Sequence, residues 1–251
     1  MMYDSVIDVI GDTPLVRIGE EVTGLRNIDL YAKLEMLNPF GSVKDRAAWS
    51  MASAGIDAAR EGDHTMIELS SGNTAKALSV IAGMHGVRFK SVTNRMKVPE
   101  IKDLLLLIGA DIEELPGQAE CLDPTDADDP LARIHREISG PGSGYFHTDQ
   151  YFNARNVDAH IQGTGPEIIE DLGSAPAHFI ACVAPPVPLP ASPRFCARPI
   201  PLSRFSAWSR TSRISFPVSE TSTRSTRSVC SIPIPTTPSS RSARTRRSTG
   251  C

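Results

Sequence analysis

Two short clusters in this 251-residue chain carry residue types that can do chemistry. The first is Lys44, within Asn38-Pro39-Phe40-Gly41-Ser42-Val43-Lys44-Asp45-Arg46. Asn38 to Gly41 is turn chemistry. Ser42, with Asp45 three residues on, is a variant of the box that opens a helix. Lys44 therefore falls in a first helical turn, where the positive end of the helix dipole disfavours another positive charge. A lysine so placed has a larger neutral fraction, and a neutral amine is what condenses with an aldehyde. The second cluster is Ser70-Ser71-Gly72-Asn73-Thr74, between a strand pattern and a helix pattern. Backbone N–H groups and hydroxyls converge there at a helix N-terminus, which suits an anion. Taken singly, each cluster also has a plain reading, a solvated lysine and an ordinary capped turn.

The elements around these clusters alternate. Residues 1–39 read as a short helix, a turn at Gly11-Asp12-Thr13-Pro14, a strand at Leu15–Ile18 and a second at Ile28–Leu34. The Lys44 helix runs to about Ala54 and stops at Gly55. A strand at Thr65–Leu69 leads into the Ser70–Thr74 turn, and a helix follows from Ala75 to His85. A strand at Arg88–Thr93, a helix at Glu100–Ile108 and a strand at Asp111–Leu115 continue the alternation. Pro116 to Asp129 is acidic and loop-like, and Asn153 to Leu172 is helical with a break at Gly163-Thr164-Gly165-Pro166. An apolar strand at His178–Val183 closes the periodic part. Strands alternating with helices predict an α/β fold, a parallel sheet covered on both faces.

Four motifs, in order and spacing, resemble the cysteine synthase family of pyridoxal-phosphate enzymes. They are Gly11-Asp12-Thr13-Pro14-Leu15-Val16, the Asn38–Arg46 string, Ser70–Thr74, and Gly163-Thr164-Gly165-Pro166-Glu167-Ile168. The wording of the chain looks most like bacterial paralogues resembling S-sulfocysteine synthase or using O-phosphoserine. The resemblance implies fold-type II, tryptophan synthase β-like architecture with pyridoxal 5'-phosphate as cofactor. It implies that Lys44 holds the cofactor and later removes the substrate α-proton, and that Asn73 faces the cofactor's phenolic oxygen. Ser70, Ser71, Gly72 and Thr74 would grip the amino-acid carboxylate, and Gln150, in Thr148-Asp149-Gln150-Tyr151-Phe152-Asn153, matches a glutamine used there too. The family more often has Thr and Gly where Ser70 and Ala75 stand. It usually has Met-Pro-Glu where Asn94-Arg95-Met96 stand, so Arg95 and Lys97 are either surface charges or contacts to a more anionic substrate. The implied domains are the start of the larger domain at 1–39, a smaller α/β domain at 40–150, and a return to the larger, incomplete domain at 151–183.

The implied activity is β-replacement on an activated serine, O-acetylserine or O-phosphoserine, by a sulfur nucleophile, giving cysteine or S-sulfocysteine. The alternatives are a cystathionine β-synthase or threonine dehydratase relative, or a catalytically dead remnant that binds cofactor or a partner. Partners are then an amino-acid substrate and a sulfur donor; family members are homodimers. Five scattered Cys without a C-x-x-C pair, and six His without ligand spacing, argue against a metal site and for free thiols in a reducing cytoplasm. The start of the chain lacks the basic-then-apolar pattern of a secretory signal, and no apolar run approaches a membrane span.

Beyond Val183 the chemistry changes. Of 26 Lys and Arg and 29 Asp and Glu, residues 184–251 hold 11 Arg, no Lys and one acid, Glu220. The formal balance is −13 before this point and +10 after it. The family places a Gly/Thr-rich loop here whose backbone amides cradle the cofactor phosphate. Ala184-Pro185-Pro186-Val187-Pro188-Leu189-Pro190-Ala191 cannot be that cradle, because proline has no N–H. Read one base earlier, the codons of Ala184, Val187 and Ala191 permit Gly, and those of Pro185, Pro188 and Pro190 permit Thr or Ser. Ser192 to Arg198 then permits Ile-Ala-Ala-Phe-Leu-Arg-Glu, an amphipathic helix, whereas the opposite shift cannot encode Gly at position 184. Residues 184–251 are therefore expected to be a frameshifted tail without regular structure, and the chain truncated and impaired. A natural Arg/Ser/Pro-rich tail for nucleic acid explains the charge but neither the decoded loop nor the absence of Lys.

Overall fold

The computed structural model describes residues 2–94, 96, 98–116 and 129–182, with the backbone alone of 204–208 and 213–217. Arg95, Lys97, residues 117–128 of the acidic segment and the rest of 183–251 lie outside the described residues.

A 3-10 turn at Val6–Val9, closed by a capping box between Ser5 and Asp8, precedes an antiparallel pair. Strand β1 (Leu15–Ile18) lies on β2 (Leu30–Lys33), with Leu15 opposite Lys33, and the short helix α1 (Glu20–Thr23) between them. Helices α2 (Lys44–Ala52) and α3 (Ile56–Glu61) then lead to β3 (Thr65–Leu69). After β3 come α4 (Asn73–Met84), β4 (Arg88–Thr93), α5 (Pro99–Leu107), β5 (Ala110–Glu114), α6 (Pro130–Ile138) and β6 (Tyr145–His147).

Strands β3 to β6 form one parallel sheet in the order β5-β4-β3-β6. The chain winds one way from β3 to β5, then returns to the far side of β3. The strand order thus reverses between β3 and β6, and in open α/β sheets the crevice at the carboxyl ends of such strands is where ligands bind. Ser70–Thr74 leaves the carboxyl end of β3, and Thr148–Gln150 leaves that of β6.

Period-two alternation divides β3 between two cores. Met66 packs with Ala48, Ala52, Leu78, Ile81 and Phe89, the side covered by α2 and α4. Ile67 and Leu69 pack with Val92, Leu131 and Ile134, the side covered by α6. Both faces are buried, as a parallel sheet requires.

Beyond β6 the chain forms α7 (Ala154–Ala159), a π turn at His160–Thr164 and α8 (Gly165–Leu172). The break expected at Gly163–Pro166 is a widened turn rather than an interruption. Pro166 cannot donate to a regular ladder, and the i→i+5 turn absorbs the missing bond. Strand β7 (Phe179–Cys182) pairs in parallel with β8 (Arg204–Trp208), which pairs antiparallel with β9 (Arg213–Pro217). These two strands depart from the expectation of a tail without regular structure. Their sequences alternate apolar with polar residues, Phe205 and Ala207 in one, Ile214 and Phe216 in the other, which suits extended pairing. Among the described residues no helix is long and apolar enough to cross a membrane.

Candidate functional site

Lys44 opens α2, and Ser42 Oγ accepts its backbone N–H at 3.2 Å. The loop before it is drawn closed by Asp45, whose carboxylate accepts from Phe40 N–H at 2.6 Å and from Ser42 Oγ at 3.1 Å. Gly41 takes φ +86°, a conformation that favours glycine and lets the turn close. Among the described residues the Lys44 ammonium has no hydrogen-bond or ion-pair partner, and burial lowers its pKa from the usual lysine range. The direction matches the sequence expectation, and desolvation is a cause of it. His160 stands in the field of this lysine. Burial first, then the charges of Lys44 and Arg46, push its pKa down to about 4 against the opposing pull of Glu35. The imidazole is therefore neutral near pH 7, and its Nδ1 lies 3.0 Å from Thr164 Oγ1.

Two residues past Lys44, Arg46 gathers distant segments. Its Nε donates to Glu35 Oε2 at 2.8 Å, while its terminal nitrogens donate to Glu167 Oε1 at 2.5 Å and Oε2 at 2.7 Å. One of them also reaches Thr13 Oγ1 at 3.1 Å. Lys33 Nζ lies 3.0 Å from Glu167 Oε2 and donates to Thr13 O at 2.6 Å. Burial pushes the Glu167 carboxyl up, but hydrogen bonds from Arg46 and Lys33 outweigh it and hold its pKa at about 2. A Cβ at Gly11 would stand 3.2 Å from an Arg46 nitrogen, and one at Gly163 3.1 Å. The glycines of two motifs thus make room for the arginine of a third.

The second half of the site lies at the carboxyl ends of β3 and β6. Ser70 Oγ accepts from Ala75 N–H at 3.1 Å, and Ser91 Oγ donates to Ser70 O. Helix α4 starts at Asn73, so the N–H groups of Asn73 and Thr74 have no acceptor within the helix. Thr74 Oγ1 donates to Gln150 Oε1 at 3.0 Å, and Gln150 Nε2 donates to Leu69 O. Ser70, Ser71, Gly72, Asn73, Thr74 and Gln150 are brought together in this way. Lys44 makes no hydrogen bond to them among the described residues. It is neighbour to them through the adjoining starts of α2 and α4, where a Cβ at Gly41 would stand 3.6 Å from Lys76 Nζ.

The family model "Pyridoxal-phosphate dependent enzyme" matches residues 6–184. The chain belongs to this family. It is 36% identical over 178 residues to an N-(2-amino-2-carboxyethyl)-L-glutamate synthase of Ralstonia nicotianae, covering 68% of this chain and 50% of that one. It is 34% identical over 183 residues to a cysteine synthase B of Pseudomonas aeruginosa, covering 72% and 58%. Among solved structures, an O-acetylserine dependent cystathionine β-synthase from Helicobacter pylori superposes with a TM-score of 0.67 at 26% identity, covering 82% and 66%. The chain spans about half the length of the curated relatives it matches. Its fold is that of the fold-type II enzymes, and the cysteine synthase-like members are pyridoxal-phosphate dependent.

The residues present fit the cofactor's aldehyde end, because Lys44 offers an unpartnered amine that burial biases toward the neutral form. The segment that would meet the phosphate lies outside the described residues. Three residues of this pyridoxal-phosphate enzyme escape a reading of its sequence. His160 sits four residues before Thr164 of the fourth motif, a helical spacing that could have marked it as a neighbour of that motif. Arg46 and Glu167 sit inside quoted motifs, but nothing local says that they meet.

Proposed function

We propose that this chain carries the lysine and the carboxylate-binding half of an enzyme that replaces the β-substituent of an activated serine with a sulfur nucleophile. The observation that carries the reading is the half-buried Lys44 amine, without a partner among the described residues, at the start of a helix that adjoins the start of α4, whose first-turn N–H groups at Asn73 and Thr74 have no acceptor within the helix. In this reading the loop residues Ser70, Ser71, Gly72 and Thr74, with Gln150, bind the α-carboxylate. Asn73 donates to the cofactor's phenolic oxygen. When bound, pyridoxal phosphate supplies an electron sink that makes the substrate's Cα–H bond acidic. Lys44 Nζ takes that proton, the β-substituent leaves with its bonding electrons, sulfur bonds to Cβ, and Lys44 returns the proton to Cα. His160, neutral, keeps a second positive charge away from the amine.

Likeness to the Helicobacter enzyme supports a second reading, in which the nucleophile is the thiol of an amino acid. Both readings share Lys44 and the loop. Residues 184–251 enter as the product of a one-base shift, a proposal supported by the family match ending at residue 184 and by the loop that the possible codons of residues 184–191 permit in the shifted frame.

The test uses three proteins: the chain as it stands, a version with one base restored after codon 183, and the restored version with Lys44→Ala. Cofactor absorbance and β-replacement are measured with O-acetylserine or O-phosphoserine against sulfide, thiosulfate and a thiol amino acid. The restored protein should be far more active than the chain as it stands, because positioning supplies roughly 7–11 kcal/mol where geometry is fully enforced. Equal rates would overturn the account of the tail. Covalent cofactor uptake by the Lys44→Ala protein would overturn the role of Lys44. A stop codon soon after codon 183 in the alternative frame would overturn the shift itself.

A further inference from the structure

A carboxylate lies buried directly beneath the loop that this reading assigns to a substrate carboxylate. Glu68, on β3, is 0% exposed. Two like charges so close repel, so Glu68 is an awkward neighbour for an anion site. Its hydrogen bonds explain what it does there. Oε1 accepts from Leu69 N–H at 2.9 Å, and Oε2 accepts from Thr148 Oγ1 at 2.6 Å and from Gln150 N–H at 3.0 Å. One side chain thus ties the end of β3 to the end of β6 across the point where the strand order reverses. His147 Nε2 is 3.8 Å from Oε1, beyond hydrogen-bond reach, and has no hydrogen-bond partner among the described residues, so the three donors do the holding.

We propose that Glu68 is a positioning residue for the substrate carboxylate, acting through Gln150. With its backbone anchored on Glu68, Gln150 spends its amide oxygen on Thr74 and one amide N–H on Leu69 O. A primary amide has two N–H donors, so one is left for a ligand. The Glu68 anchor fixes where that donor stands relative to the first-turn N–H groups of α4. A glutamine at position 68 has the same shape but only one oxygen, and its NH2 would face a donor. The anchor would slip even though the side chain still fits.

This inference rests on the carboxylate reading of the loop, and its test separates the two. L-serine binding to the full chain, incubated with pyridoxal phosphate, is measured by calorimetry for the unaltered protein, Glu68→Gln, Gln150→Ala and the double variant. Amide hydrogen exchange is followed in parallel. Glu68→Gln should weaken L-serine binding about tenfold, the loss of one charge-assisted hydrogen bond's worth of geometry. It should also speed exchange at the Leu69 and Gln150 amides. In the Gln150→Ala background it should cost nothing further, because the two residues act as one unit. Glu68→Asp, which keeps the charge but withdraws it by one methylene, carries the same expectation if Glu68→Gln does not fold. Undiminished binding in a folded Glu68 variant, or losses that add in the double variant, would overturn the inference alone. If neither the unaltered chain nor the version with one base restored after codon 183 takes up L-serine, the reading of the loop falls and the inference falls with it.

Discussion

The two halves of the site are held by different physics. Around Lys44 the supports are charges brought from far along the chain, with Arg46 bound to Glu35 11 residues away and to Glu167 121 residues away. Around Ser70–Thr74 the supports are hydrogen bonds at the ends of two neighbouring strands, with one buried carboxylate among them. In the first arrangement the Arg46 guanidinium takes the carboxylates, and Lys44 has no partner among the described residues. The second holds donors ready for an anion on a rigid sheet. The proton transfer proposed for Lys44 and the anion binding proposed for the loop make different demands on their supports.

The largest contrast concerns cofactor uptake. Lys44→Ala should abolish covalent attachment of pyridoxal phosphate in the restored protein, while Gln150→Ala should leave it intact and weaken only amino-acid binding; visible absorbance with and without added L-serine separates the two. Stability gives the next contrast. Arg46→Ala strands two part-buried carboxylates and should cost roughly 3–5 kcal/mol in urea unfolding. Thr148→Val removes one hydrogen bond to Glu68 and should cost about 1–3 kcal/mol. A Thr148→Val cost equal to or above that of Arg46→Ala would erase the distinction between the halves.

The pH response should also be one-sided. His160 is depressed from 6.5 to about 4, so the unfolded chain binds the proton more readily than the folded one in that window. Its contribution to stability is present above about 6.5 and lost as pH falls toward 4. Glu167, held at about 2 against an ordinary 4.5, loses its contribution as pH falls further through that lower window. Urea midpoints measured across pH should fall in both windows, and His160→Asn should flatten the upper one; an unchanged slope would show that His160 is not its source. The smallest effect is steric. Gly163→Ala puts a Cβ 3.1 Å from the Arg46 guanidinium and should cost about 1 kcal/mol, with no change in L-serine affinity.

What could be read in advance follows the same division. Ser70–Thr74 was legible because strand, turn and helix start are adjacent in sequence, and each carries its own chemistry. Lys44 was legible as an amine at a helix start, but the cause of its depressed pKa was not, since burial depends on what else packs there. Helix α6 carried a readable start, Asp129 before Pro130, and the Asp129 carboxylate does cap Leu131 and Ala132; the acidic run before it masked the signal. Strand β6 is three residues long, too short for any period to register. Glu68 reads as one polar residue in an apolar strand, and nothing local names Thr148 and Gln150 as its partners, 80 and 82 residues away.

The span of the Arg46–Glu167 contact has a consequence for how the protein comes into being. The parallel sheet can close once residues through β6 have been synthesised, and the carboxylate loop is then complete apart from Gln150, three residues later. The Arg46–Glu167 contact can form only after Glu167 emerges, and closing a loop over so many residues is entropically costly. A nascent chain can therefore form the Ser70–Thr74 turn before Arg46 meets Glu167.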